Sequence, residues 1–416
     1  LRTSIGDTQC RARPRAAEGV RAVQVPRPEA RRGDGALGAA WVFSNENFIK
    51  ENIGFLSFGK LRASYGTTGN DQIGDYMYLD SFSSLGPYQG VPGLYPTQLF
   101  NADYAWETNR KIESGLEIGM LENRIQFSVS HFRNRSSNQL ISYPLATITG
   151  FTGITSNLDA IVENTGWELE FSSVNIKNGH FTWTTSGNLT MPRNKLVSFP
   201  GLEKSSYFNQ YEVGRPLNIS KRYRFTGLDP QTGIFQFADL DGNGSLSSTD
   251  RLEIVEVGQE FYGGLNNSFQ FKGFSVDVFL QFVKQNGPGF LSTFIGIPGT
   301  NSNQPKEVFE RRWKGPDDQD ASMQLFTFNN STANTAYQRY ASSDAAICDA
   351  SFVRLKNVSL SYRFPEKWTK GLSSRLYLQA QNVMTLTRYP GLDPENTSSN
   401  VISPLRTFVA GVQLTF

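Results

Sequence analysis

Period-2 alternation of apolar and polar residues, a wide imbalance of loop lengths and an aromatic content of 13% predict an all-β fold. The fold expected is an antiparallel transmembrane β-barrel, partial, with long external loops. The 416 residues would ordinarily mean two or three soluble domains, because single cores stop growing at roughly 250–300 residues. No apolar run approaches the length of a membrane-spanning helix, which argues against helical spans but not against a barrel, whose strands dilute each apolar residue with a polar one.

Residues 1–40 stand apart from 41–416. They hold eight Arg and four acidic residues, no Lys and no Phe, Tyr or Trp, and Ala, Arg, Gly and Pro fill 24 of the 40 positions. The net charge of +2 is thus +4 from this segment and −2 from the remainder, which gives no case for a nucleic-acid footprint. The segment has no apolar stretch of the secretory type. It reads as non-native sequence from a frame or joining error, or as a disordered basic arm.

From Trp41 onward the alternating runs follow one another. Ile112, Leu116, Ile118 and Met120 oppose Glu113, Gly115, Glu117 and Gly119. Shorter matches cover Ile125–Val129, Trp167–Phe171 and Leu376–Ala380. Leu265, Phe269 and Phe271 oppose Asn266, Ser268, Gln270 and Lys272; Val276, Val278, Leu280 and Phe282 oppose Ser275, Asp277 and Gln281, with Phe279 the exception. Val358, Leu360, Tyr362 and Phe364 oppose Asn357, Ser359, Ser361 and Arg363. The last run, Arg406 to Phe416, is the most regular: Phe408, Ala410, Val412, Leu414 and Phe416 alternate with Thr407, Val409, Gly411, Gln413 and Thr415. It ends on an aromatic, as expected of a strand that closes a barrel. No segment carries a sustained 3.6-residue stripe, so helix is the minority state.

Between these runs lie polar stretches rich in Gly, Ser, Asn and Pro: Asp80–Leu99, Asn138–Asn164, Asn194–Ser220 and Phe290–Ala350. They contrast with tight links at Glu122-Asn123 and Lys272-Gly273. Loops that long inside a compact soluble domain would count against the strand assignment. Short turns at one end and long loops at the other are the asymmetry of an outer-membrane barrel.

Several segments, in order, resemble TonB-dependent outer-membrane transporters of the SusC/RagA type. They are Glu46–Phe48, Phe58–Gly66 (FGKLRASYG) with Gly69-Asn70, Trp106–Asn109 (WETN) with Gly115–Glu117, and Val213–Pro216 (VGRP). Gly227–Pro230 (GLDP) with Thr232-Gly233, Tyr262–Asn266 (YGGLN), Gly273–Val278 (GFSVDV), Asp349–Val358 (DASFVRLKNV) and Gly391–Glu395 (GLDPE) complete the series. The block Asp349–Val358 is the most specific, and it argues against a siderophore or cobalamin receptor of the same broad class. The resemblance implies a 22-stranded barrel preceded by a plug and a TonB box. Roughly ten to twelve long strands after Trp41 correspond to about its C-terminal half, so the chain is expected to be a fragment lacking plug and TonB box. The resemblance further implies import of oligosaccharides or peptides across the outer membrane of a Gram-negative bacterium. A SusD-like surface lipoprotein, the TonB complex and outer-membrane lipid would be its partners. A soluble β-rich glycan-binding module is the rival from another class.

One loop carries metal-ligand spacing. Asp239, Asp241, Asn243, Ser245 and Asp250 fit the calcium template D-x-D-x-N-G with an acidic residue at position 12. Alternate residues of a tight loop turn oxygens inward, Gly244 permits the bend and Ser245 offers its backbone carbonyl. Asp in place of Glu at position 12 shortens the reach, and the alternative is an Asx-rich turn without an ion.

Catalytic signals are weak. His131 and His180 have no His, Cys or acidic partner at ligand spacing, and Cys10 and Cys348 cannot make a disulfide framework. Glu113 with Glu117, and Glu168 with Glu170, are read as lumen-lining charge rather than a glycosidase pair. No G-x-S-x-G occurs in a strand–turn–helix context. Arg311-Arg312-Trp313 reads as a surface or interface patch, and Tyr76, Tyr78 and Tyr207 as loop packing or girdle aromatics. The expected activity is binding and gated passage, not enzymatic bond-making.

Overall fold

The computed structural model describes residues 35–70, 76–290, 296–301, 303–316, 318–369, 371–398 and 401–415. The expectations for residues 1–34, including Cys10, and for Phe416 lie outside the described residues.

In chain order the strands are β1 (Gly35–Trp41), β2 (Leu56–Asn70), β3 (Ser81–Tyr88), β4 (Val91–Gln98), β5 (Glu107–Met120), β6 (Ile125–Ser137), β7 (Gln139–Pro144), β8 (Gly153–Leu158), β9 (Ile161–Lys177) and β10 (Phe181–Ser198). They continue with β11 (Ile219–Arg222), β12 (Phe225–Leu228), β13 (Phe235–Phe237), β14 (Glu253–Glu256), β15 (Gly258–Phe271), β16 (Phe274–Pro288), β17 (Ile347–Asp349), β18 (Phe352–Arg363), β19 (Ser373–Thr387) and β20 (Thr407–Thr415).

Twelve of these form one sheet. Eleven run in an unbroken path, β1-β2-β5-β6-β9-β10-β15-β16-β18-β19-β20, and β17 pairs with β16 beside it. Every pairing is antiparallel. Most wall strands of this path have 12 to 18 residues, more than the roughly 9–11 needed to cross a bilayer at a tilt. Among the described residues β1 and β20 each have one neighbour, and they are not paired with each other. Gly35–Ala40, from the segment set apart by composition, lie in β1 and pair with Thr67 through Arg62 of β2.

Connections alternate strictly between two ends. At one end they span 42–55, 121–124, 178–180, 272–273 and 364–372; at the other they span 71–106, 138–160, 199–257, 289–351 and 388–406. The tight link at Lys272-Gly273 has φ of 45° and 91°. Two positive values make the turn whose twist matches two antiparallel strands. The other tight link is longer than its Glu122-Asn123 core, because Leu121, Glu122 and Asn123 all take positive φ.

Register places the alternating sets as expected. Leu116, Val129, Leu169 and Leu189 lie directly across from one another on β5, β6, β9 and β10. On the far side of the wall Val276, Leu360, Leu378 and Ala410 form a similar row. This face stays open: Trp167 is 49% exposed, Leu378 50% and Phe408 73%. A soluble fold would bury such a band, whereas lipid covers it without loss.

The long stretches differ from plain loops in two ways. They fold their own hairpins, β3–β4, β7–β8, β11–β14 and β12–β13. An eleven-residue helix, Ser331–Ala341, also forms inside the stretch read as loop. Its apolar stripe is brief and built from Ala333, Ala336, Tyr337 and Tyr340, too short and too polar to stand out as a period. Among the described residues no helix is long and apolar enough to cross a membrane.

Candidate functional site

The polar parity of the strands faces the other side of the wall and lines a cavity of about 1070 Å³ that reaches from β2 to β16. Lys60 and Arg62 on β2 meet Glu117 and Glu113 on β5 there. Lys60 Nζ lies 3.2 Å from Glu117 Oε1, and Arg62 Nε lies 3.4 Å from the same oxygen. Arg62 also pairs with Glu113 and donates to Ser130 Oγ on β6 at 2.7 Å. Gly115, opposite Arg62, makes this possible, since a Cβ there would sit 2.8 Å from the guanidinium Nε. These side chains keep about a third of their surface, so each pair contributes at most about 1 kcal/mol. Their effect is to hold charge in a fixed pattern on the lumen side.

Glu168 and Glu170 share this face, opposite Ser130 and Ser128 on β6 and Thr190 and Asn188 on β10. The carboxylates read as lumen-lining charge are therefore placed on the polar face. Phe279, the exception in its run, turns its ring over Gly264, where a Cβ would lie 2.6 Å from ring carbon Cε2. It joins Phe58, Phe127 and Phe171 among the cavity-lining residues, beside polar groups such as Asn188 and Asn266. Such a surface can hydrogen-bond and stack on polar solutes.

At the long-loop end, connections 199–257 and 289–351 share a core of their own. Tyr223, Phe235, Phe237, Val308, Met323, Ala336 and Tyr337 are buried together. Asn330 caps the helix by accepting from Ala333 N at 3.1 Å. Burial pushes the Tyr337 phenol up to about 12. Trp313, expected in a surface patch, instead covers Gly233 and donates from Nε1 to Pro230 O at 3.2 Å. Arg312 lies 3.8 Å over the Phe309 ring. A second cluster, Ala160, Val162, Leu196, Phe199 and Leu202, roots the loops on β9 and β10, and Tyr207 packs against it.

The carboxylates of Asp239, Asp241 and Asp250 converge, with one oxygen of each within 4.8 Å of the others. Backbone N–H groups hold them. Asp239 accepts from Gly242 N and Gly244 N, both at 2.7 Å. Asp250, fully buried, accepts from Ser247 N at 2.7 Å, Leu240 N at 2.9 Å and Asp241 N at 3.3 Å. The Ser247 N–H contributes most to holding its carboxyl below the usual carboxylate range, against the opposing effect of burial. Asn243 accepts from Ser245 N at 2.8 Å and donates to Asp241 Oδ2 at 2.7 Å. The structure thus gathers the three aspartates, while Asn243 and Ser245 bond within the turn. Asp250 Oδ1 and Asp241 Oδ2 each accept two donors, whereas both Asp239 oxygens, Asp241 Oδ1 and Asp250 Oδ2 each accept one. These four are hard oxygens of the kind that suits calcium.

His131 lies inside β6, which runs on to Ser137. It sits on the outward face with its ring 4.8 Å from that of Trp167. His180 is in the turn before β10, its N–H donating to Asn178 Oδ1 at 3.2 Å.

Sequence reasoning missed one contact that joins two of its own blocks. Arg354, 1% exposed, is held by Asp393 at 2.7 Å and Glu395 at 2.5 Å, and its Nε donates to Thr385 Oγ1 at 2.9 Å. Gln285 Nε2 donates to Pro394 O at 2.5 Å, which draws the same loop toward β16. Two acids in a GLDPE turn were the available signal. Strand parity puts Arg354 with Val358 and Leu360, and only the register shift between Leu355 and Asn357 turns it to the polar face.

The family described as TonB dependent receptor-like, beta-barrel, matches residues 32–297. A TonB-dependent receptor P3 from Formosa agariphila is 29% identical over 424 residues, covering 91% of this chain and 41% of the relative. The TonB-dependent receptor SusC from Bacteroides thetaiotaomicron is 27% identical, covering 92% of this chain and 40% of the relative. The solved RagAB peptide importer in its open-open state superposes with a TM-score of 0.75 at 25% identity, over 92% of this chain and 42% of that one. The chain spans about two-fifths of the length of the curated relatives it matches. Its eleven-strand wall, its two-sided register and these matches agree: the chain belongs to the TonB-dependent receptor-like β-barrel family.

Proposed function

We propose that this chain supplies part of the barrel wall and external loops of an outer-membrane importer for oligosaccharides or peptides. The observation that carries the reading is the wall itself, apolar and open outward, polar and charged inward, with five long loops at one end. Short turns belong on the periplasmic side of such barrels and long loops outside, so the packed loop core is an external shelf. A SusD-like lipoprotein on that shelf, and the TonB complex, complete the proposed machine. Its chemistry is passage, and no covalent step is assigned to it.

We further propose that Asp239, Asp241 and Asp250 hold one calcium ion, with oxygens of Asn243 and Ser245 completing its shell. The convergence of three carboxylates supports this. Calcium would stiffen the external loop and add no chemistry of its own.

The experiment is expression of the intact receptor in a Gram-negative host, followed by membrane fractionation, gel mobility with and without boiling, and uptake of labelled oligosaccharides and peptides. Heat-modifiable material in the outer membrane, uptake, and co-purification of a SusD-like lipoprotein are expected. A receptor that stays soluble without detergent would falsify the reading.

A further inference from the structure

The outward face of β5, β6, β9 and β10 changes character toward the long-loop end. Below lies the apolar row Leu116, Val129, Leu169 and Leu189. One step up, His131 pairs with Trp167, an amphipathic couple of the kind that marks a membrane–water boundary. Above them the outward positions become basic. Arg133 and Arg193 flank Thr165, and in the next row Arg110, Arg135, Glu163 and Lys195 stand directly across from one another. No register shift separates these rows from the leucine row within β5, β6 or the relevant parts of β9 and β10, so all five cations share the lipid-facing side.

Glu163 is the one carboxylate among these outward positions. It bonds Arg133 at 2.7 Å and Arg135 at 2.5 Å. Arg193 spends one nitrogen on the carbonyls of Pro192 and Glu260. Arg110 and Lys195 form no ion pair among the described residues. The patch is therefore four charges positive. It is also local, because the corresponding end of β18 and β19 presents the apolar couple Val353 and Leu386.

Cations on the lipid face at this height are costly unless an anion meets them. On the outer-membrane reading, the layer that faces them is the headgroup region of the outer leaflet. We infer that this rim binds the phosphate-bearing headgroup of an outer-leaflet glycolipid, through Arg110, Arg133, Arg135, Arg193 and Lys195. The acyl chains would then lie along the leucine row and the ring pair would sit at the headgroup boundary. The inference rests on the outer-membrane reading above.

The test uses the intact receptor reconstituted into nanodiscs of phosphatidylcholine, with and without phosphorylated lipid A, with bound lipid counted by native mass spectrometry. Wild-type receptor is expected to retain lipid A selectively. The double variant R110Q/K195Q, which breaks no ion pair, is expected to retain about tenfold less. K177Q, at the opposite end of β9, should match wild type. Equal retention by wild type and R110Q/K195Q, both heat-modifiable on gels, overturns the inference. Displacement of the lipid by inorganic phosphate alone does so too, by making the rim a general anion site. Loss of heat-modifiable mobility in wild type would instead sink the membrane reading on which the inference stands.

Discussion

Arg354 donates from Nη2 to Asp393 Oδ2 at 2.7 Å across 39 residues of chain, with side chains 1% and 6% exposed. The pair clamps the 388–406 connection against the polar face of β18. Removing one partner strands the other as a buried charge, which costs about 3 kcal/mol or more, whereas an apolar pair of similar volume costs far less. Arg354→Ala should therefore release the loop, seen as loss of hydrogen-exchange protection over residues 389–398. Arg354→Met combined with Asp393→Leu and Glu395→Gln should recover most of it. Unchanged protection in the single variant would remove the clamp from the account.

Gly233 has φ +66°, and a Cβ there would lie 2.3 Å from Trp313 Cδ2. Gly233→Ala is expected to destabilise the external shelf by about 1–3 kcal/mol, combining left-handed strain with the ring's displacement. In a Trp313→Ala background the same change should cost about 1 kcal/mol less, because only the backbone strain remains. Limited proteolysis of the intact receptor in the two backgrounds measures the coupling.

Calcium added to the intact receptor should protect residues 239–250 from exchange, and Asp250→Asn should abolish that protection. Without metal, the loop also has a pH signature. The Asp250 carboxyl is held low by the Ser247 N–H first, so its contribution is present above the carboxylate range of the unfolded chain and is lost as pH falls through its lower folded value. Acid titration should loosen the loop only well below about pH 4. Loosening that begins near neutrality would contradict the hydrogen-bond assignment.

Tyr337 titrates at about 12 because burial disfavours its phenolate. Its stabilising share is complete below about pH 10, where the unfolded tyrosine ionises, and declines as pH rises through the folded value. Absorbance of tyrosinate during alkaline titration should show late-titrating groups, Tyr389 among them, and one fewer in Tyr337→Phe. That variant should also flatten the alkaline loss of shelf stability.

Much of the wall was legible in advance, because a strand's faces are set by parity alone. Leu116 and Glu117 must point apart on any strand that contains them, and Phe279 breaks the alternation of its run whatever lies beside it. The three aspartates could be grouped for the same local reason, all lying within one turn. The helix Ser331–Ala341 was not legible, since its stripe of small and polar residues becomes apolar only against Phe235 and Tyr223. Nor was the destination of Arg354, whose partners lie on a different connection.

By itself the sequence determined that this chain makes long two-faced strands with turns at one end and loops at the other, and it pointed to the family. Both follow from short-range facts: backbone pleat, turn residues and the order of blocks. Only the tertiary structure decided which strand lies beside which at what register. Register is what places Glu113 and Glu117 on Arg62, stacks Arg135 beside Arg110 and Lys195, and brings Asp393 to Arg354. Those encounters depend on hydrogen bonding between segments far apart in the chain, and no local pattern of residues encodes them.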